Sequence, residues 1–333
     1  MTLYAVEALD DAIEATKSLL WPFDRGQWLR LALIVFFVGG TGGFTPLQFS
    51  GSASPGSGPD AGLPPGTPSP EAVAPGGTEL LVIAVVVGLI AAVLLGFLFV
   101  GSVMEFVFVE SLRRETVSVR RYWSDHWRLG ARLFGFRLLL GVLTLGSFAA
   151  LLAAVLSPAF YGNEGLAVGL ALLSIPIFFV VGLGSGLIGG FTTNFVVPVM
   201  IAEGRPLLDS WRRFWPTLTG QWKQYVAYVG LSFIVQIAVG VLTTVAVLFG
   251  VVVAGVLFGV VVVAGVALLS VAEVVGGALI AVAVSLFVVS VFAVALFVAV
   301  PLQTYTRYYA LFVLGDSEAE FDLIAERRRR IRE

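Results

Sequence analysis

The feature that most constrains this chain is how far it runs without a charge. Residues 224–272 hold no Asp, Glu, Lys or Arg over 49 positions, residues 165–202 over 38, residues 274–306 over 33 and residues 80–104 over 25. A bilayer core about 30 Å thick takes roughly 20 apolar residues at about 1.5 Å each. Each window is long enough to cross. Composition agrees: 58% of the 333 residues are hydrophobic and 13% are charged, against about 25% in an ordinary soluble domain. The mean hydropathy is +0.96. A soluble protein must cover its surface with polar groups, so soluble enzymes, nucleic-acid binders and disordered regulators are excluded as wholes. The net charge of −2 points to no polyanionic partner, and no nucleic acid is expected.

Loop charges orient the spans, because cytoplasmic loops are enriched in Lys and Arg. The linker 105–137 carries Arg113, Arg114, Arg120, Arg121, Arg128, Arg132 and Arg137. The linker 203–223 carries Arg205, Arg212, Arg213 and Lys223, and the tail carries Arg327 to Arg330 and Arg332. Residues 44–79 and 157–165 hold neither Lys nor Arg. The expected arrangement is an all-α polytopic transmembrane bundle of about six spans in three helical hairpins, with interfacial amphipathic helices. A cytoplasmic amphipathic helix (1–27) precedes a transmembrane domain (28–314) and a cytoplasmic charged tail (315–333). Both termini are expected inside a cell membrane. An external Gly-, Pro- and Ser-rich loop (45–78) cannot bury a core and reads as a tether. The window 165–202 is too long for one straight crossing. Between the linker 203–223 and the tail, two crossings leave about 20 apolar residues around 249–268 for an overlong helix, a re-entrant piece or a buried hairpin. Eight spans is the alternative.

The first hydrophobic segment follows Glu7, Asp10, Asp11 and Glu14 rather than a short basic region, so it reads as a span and not a cleaved signal. Val6, Leu9, Ile13, Thr16 and Leu20 fall on one face of the helix before it. Docking against the basic linkers of the same chain is its expected fate, with partner binding as the alternative. Arg121-Tyr122-Trp123 and Arg213-Phe214-Trp215 mark a weak repeat, each in a basic linker ahead of an apolar run.

Ionisable groups in membrane segments are costly and are functional candidates by default. Glu273 is the deepest candidate. It reads either as a proton- or cation-handling group or as a hydrated residue in an outer turn. Glu105 and Glu110 lie near Arg113 and Arg114, which predicts interfacial pairing. Thr192, Thr193, Asn194 and Gln236 could line a path or bond between helices. Gly182, Gly186 and Gly190 recur every four residues, a spacing that lets helices approach closely. Arg113, Arg114, Arg120, Arg121, Arg212 and Arg213 form a candidate face for anionic lipid or a protein partner.

Enzyme signatures are missing. Cysteine is absent and His126 is the one histidine, so no thiolate chemistry and no His-rich metal centre is expected. Gly182-Leu183-Gly184-Ser185-Gly186 lacks the spacing of a nucleophile elbow, and neither a phosphate loop nor a dinucleotide fingerprint occurs. No catalytic residue, cofactor or metal is assigned.

Two stretches carry a resemblance. Leu3-Tyr4-Ala5-Val6, Asp10-Asp11-Ala12, Trp28-Leu29-Arg30-Leu31-Ala32 and Phe36-Phe37-Val38-Gly39-Gly40 resemble a family of haloarchaeal polytopic membrane proteins of unknown function. The excess of Arg over Lys fits that source. Pro301-Leu302-Gln303-Thr304-Tyr305, Tyr308-Tyr309 and Phe321-Asp322-Leu323 are similar to the tail of the membrane domain attached to some glycerophosphodiester phosphodiesterases. That likeness implies a membrane-domain role and no hydrolysis. The function expected is a non-enzymatic membrane scaffold or anchor whose basic cytoplasmic face meets lipids and a protein partner. A transporter or channel for a small solute or ion is the alternative.

Overall fold

The computed structural model describes residues 4–42 and 77–333. Most of the loop 45–78 and the end of the first span therefore lie outside the described residues. Those that are described form helices: α1 (Tyr4–Leu20), α2 (Arg25–Gly42), α3 (Gly77–Arg114), α4 (Val119–Phe160), α5 (Glu164–Phe191), α6 (Val197–Glu203), α7 (Leu207–Gly220), α8 (Trp222–Leu269), α9 (Glu273–Ser317) and α10 (Ala325–Arg332). A π-helical turn, Thr192–Val196, joins α5 to α6. Among the described residues, five helical stretches are long and apolar enough to cross a membrane: α3, α4, α5 continued to Glu203, α8 and α9.

The long helices stand in a row. α5 packs on α4, α4 on α3, α3 on α2, α2 on α9, and α9 on α8. At one end, the π turn and α7 fold back onto α9 and α8. Chain ends, basic linkers and the hydrophobic core all gather there. Along α3 the change is abrupt: Leu80 to Leu95 are exposed, whereas residues 101–112 are buried throughout. Phe106, Phe108, Phe195, Phe214, Tyr225, Tyr308 and Phe312 fill this packed end. Phe195 and Tyr228 meet edge to face with ring centroids 4.8 Å apart, a geometry that adds about 0.5–1.5 kcal/mol to the area buried. At the far end helices meet few neighbours, and apolar side chains face outward on every span.

The window 224–272 resolves into a single overlong helix. α8 has 48 residues and is about 70 Å long, roughly twice a bilayer core. A turn at 270–272 returns the chain as α9. Glycine permits the close approach near this turn. A Cβ on Gly276 would lie 2.6 Å from the Gly265 carbonyl oxygen and 2.8 Å from the Leu269 nitrogen. One on Gly250 would lie 2.8 Å from Val294 Cγ1. The triplet Gly182, Gly186 and Gly190 does not play that part within the chain. Gly186 and Gly190 face open space, and a Cβ on Gly182 would lie 3.8 Å from Phe148 Cζ, ordinary contact.

The window 165–202 is likewise one helical stretch, with its break confined to the π turn. The first helix keeps part of its expected face, with Thr16 and Leu20 buried and Leu9 packed partly on the core, and corrects the rest. Ala5, Ala8, Ala12, Ala15 and Leu19 are buried, while Val6 and Ile13 are 49% and 42% exposed. The alanine stripe has no bulk to hold α1 away, so α1 lies close along α9.

Candidate functional site

The site grows out of one proline. Pro198 has no N–H to donate to the Asn194 carbonyl, and its ring crowds the preceding turn. The turn before it widens: the Val197 N–H reaches back five residues to Thr192 O. Such π turns are frequent at functional sites. The Thr193 carbonyl loses its helical donor. Arg307 of α9 supplies one, with Nη1 donating to Thr193 O at 2.6 Å and to Asn194 Oδ1 at 3.2 Å.

The same guanidinium donates through Nη2 to Glu105 Oε2 of α3. Arg137 of α4 takes the other carboxylate oxygen: Nη2 donates to Glu105 Oε1 at 3.0 Å and to Thr193 Oγ1 at 3.0 Å. Its Nη1 lies 3.5 Å from Ser102 Oγ. Four elements thus meet on one carboxylate. Glu105 is 1% exposed, Arg307 5% and Arg137 13%. The face of Phe108 lies 5.9 Å from Arg307 Cζ. Taking ions out of water costs several kcal/mol each, and a charge-assisted bond to each carboxylate oxygen, with the bonds to the freed carbonyl and to Thr193 Oγ1, offsets this.

A second junction ties the chain ends together. Arg327 of α10 is buried; Nη1 donates to Tyr308 Oη at 2.7 Å, and Nη2 donates to Ala15 O at 2.8 Å and Ser18 Oγ at 2.7 Å. Tyr308 Oη donates onward to Leu112 O at 3.1 Å. Glu115, a non-glycine residue at φ 54° in the α3–α4 turn, accepts an ion pair from Arg327 at 3.4 Å and another from Arg330. Arg332 bridges Asp316 and Asp11 at 2.7 Å each, and the two carboxylates hold its guanidinium above the usual range. Asp322 pairs with Arg328, yet burial outweighs that attraction and pushes its carboxyl up.

The sequence-predicted residues scatter. Glu105, Thr193 and Asn194 come together. Thr192 sits beside them, its Oγ1 donating to Ile188 O at 2.6 Å and accepting from Trp211 Nε1 at 3.1 Å. Glu273 is exposed at the first residue of α9, beside the turn that joins α8 to α9 and away from the cluster. Gln236 is exposed on α8, away from the cluster. Glu105 does not pair with Arg113 or Arg114. Those two hold Glu110, Arg113 at 3.5 Å. Arg213 is taken by Glu203 at 3.2 Å and by Glu320, and Glu203 foremost raises its affinity for a proton. Arg212 lies 3.8 Å from Asp209. Arg120 and Arg121 are exposed and, among the described residues, have no ion pair. Arg307 and the Arg327–Tyr308 junction were not anticipated. The one signal for Arg307 was its place as the first charge after the uncharged run 274–306. Among the described residues no three His, Asp or Glu side chains converge to hold a metal ion.

Residues 3–324 match a family of unknown function (DUF7544), nearly the whole chain, and the chain belongs to that family. No curated protein and no solved structure matches it.

Proposed function

We propose that this member of the family is a multi-pass scaffold or anchor of the cell membrane, without enzymatic activity, whose packed end lies on the cytoplasmic side and meets a protein partner and anionic lipid. The observation that carries the reading is the packed end itself. Buried ion pairs and aromatic packing weld α1, both linkers and the tail into one body. A welded body presents a fixed surface, which is what a docking platform requires. The orientation is supported by charge: the arginines of both linkers and the tail cluster at this end. An archaeal source is kept as the expectation that the resemblance supplies.

Tagging the C-terminus, crosslinking mildly in native membranes and identifying co-purifying chains by mass spectrometry tests this. A stoichiometric partner crosslinked through the packed end is expected. A lone chain with bulk lipid would sink the scaffold reading.

The π turn favours a second reading. A broken helix beside a buried carboxylate is the arrangement in which transporters place a substrate site. A transporter or channel would require Glu105 to carry or gate an ion. Liposome flux with the Glu105→Gln chain separates the two: flux in the parent that the variant abolishes supports transport, and no flux in either leaves the scaffold.

A further inference from the structure

Most arginines at the packed end are spent on carboxylates inside the chain. Arg113 and Arg114 hold Glu110, Arg137 and Arg307 hold Glu105, Arg213 holds Glu203 and Glu320, and Arg328 and Arg332 hold Asp316. Four on α4 are not. Among the described residues no carboxylate lies within ion-pair distance of Arg120, Arg121, Arg128 or Arg132, and all four are exposed. At about 100° per residue the four span an arc of about 120°. This arc lies opposite the buried face marked by Tyr122, Gly130 and Leu133. Trp127, 47% exposed, flanks it, with Arg128 Cζ 5.8 Å from its ring. Asp125 is the one acidic group at its edge and lies 3.5 Å from Ser124 Oγ.

The same face changes character within a few residues. From Leu138 onward it carries Leu139, Val142 and Leu143, each more than half exposed. Arg132 stands six positions before Leu138, about 9 Å along the axis, and Arg128 about 15 Å. The headgroup layer on each side of the hydrocarbon is about 5–7 Å thick; a flexible arginine side chain brings Arg132 into it and Arg128 only to its outer edge. Arg120 and Arg121 lie about 25 Å from Leu138, beyond the headgroups. One helix face therefore passes from hydrocarbon to unpaired cation with an indole at the boundary, which is how an interfacial anchor is built.

We propose that Arg132 and Arg128, flanked by Trp127, form a docking site for the phosphate headgroups of anionic phospholipid in the leaflet at the packed end. The proposal rests on the membrane reading above and specifies which arginines of the basic face act. It fails separately from that reading, because partner capture does not depend on lipid retention. The geometry grades the effect: Arg132 first, Arg128 next, Arg120 and Arg121 least. The ion-paired Arg212 and Arg213 contribute little.

The test uses the full chain exchanged into nanodiscs of phosphatidylcholine with phosphatidylglycerol, then native mass spectrometry to count retained phosphatidylglycerol. The variant R128Q/R132Q is expected to lower its affinity about fivefold per arginine. R128K/R132K is expected to restore most of it, and R212Q/R213Q to leave it unchanged. Equal thermal midpoints confirm that these exposed substitutions leave the fold intact. Unchanged retention in R128Q/R132Q overturns the proposal. So does a larger loss in R120Q/R121Q, the pattern of an acidic protein partner. Displacement of phosphatidylglycerol by millimolar inorganic phosphate would identify a soluble-phosphate site and overturns it too.

Discussion

The two ends of this molecule are made of the same helices and are held by different physics. In the most apolar 18-residue stretch of each candidate span, at most 6% of the residues are buried. A few turns further along α3, residues 101–112 are all buried. In hydrocarbon, apolar side chains gain little by leaving lipid for one another, so helix contacts there rest on close packing and a few polar bonds. At the packed end, large aromatics and charge-assisted bonds are available, and the chain uses both. Helix length and stability are thus separate properties here: most of the length lies at the open end and most of the specific contacts at the other.

The sharpest way to break that comparison is Glu105→Ala. It leaves Arg137 and Arg307 buried without their carboxylate and should cost about 3–5 kcal/mol, read as a lower thermal midpoint in detergent. A loss under about 1 kcal/mol would mean that stability does not reside at the packed end after all. Arg327→Gln is expected to follow, at about 1.5–3 kcal/mol for the charged donor lost. Hydrogen exchange should rise in α1 while the α8–α9 hairpin keeps its protection. Gly276→Val probes the other end. It forces a side chain against the Gly265 carbonyl and should cost about 1–3 kcal/mol. Gly186→Ala, placed in open space, should be neutral or stabilise by up to about 1 kcal/mol. Resistance to denaturing detergent compares the pair, and equal effects would show that the open end does not distinguish tight from loose contacts.

The smallest effect belongs to pH. The carboxyl of Asp322 is raised by burial, so protonation is easier in the folded chain than in the unfolded one. Its contribution to stability is fully present below the unfolded value and lost as pH rises through the folded one. The parent should therefore gain on Asp322→Asn as the solution is acidified through the carboxylate range. Unfolding midpoints across that range check the sign. Glu273→Gln should shift the midpoint by less than about 0.5 kcal/mol at any pH, as an exposed group in a turn does.

The spans were legible because a run of uncharged residues is a local signal, and four of the five candidate spans start or end close to the charges that bounded the windows. The partners of Glu105 were not. Arg137 is 32 positions away and Arg307 is 202, whereas Arg113 and Arg114 are near in sequence and point along the helix to Glu110 instead. The face of α1 was half legible for a related reason: Thr16 and Leu20 are buried as expected, whereas Val6 and Ile13 are exposed. Large side chains are the usual mark of burial, but over Ala5, Ala8, Ala12 and Ala15 the buried stripe is alanine. The Thr192–Asn194 cluster was visible as polarity before a proline. Its role was not, since that depends on which carbonyl the π turn releases and which arginine arrives to meet it.

The junction of Arg327 with Ala15, Ser18 and Tyr308 has a consequence for how the protein is made. The alanine face of α1 is synthesised more than 250 residues before the helix it lies against. At about 5–20 residues per second, the ribosome takes tens of seconds to bring the two together. Until then α1 has no native surface to cover, and Glu105 has no Arg307. A product ending before residue 300 could insert its early spans but would lack the groups that close the packed end. Arrival of α9 and α10, rather than insertion of any earlier helix, is the step at which these parts become a single body.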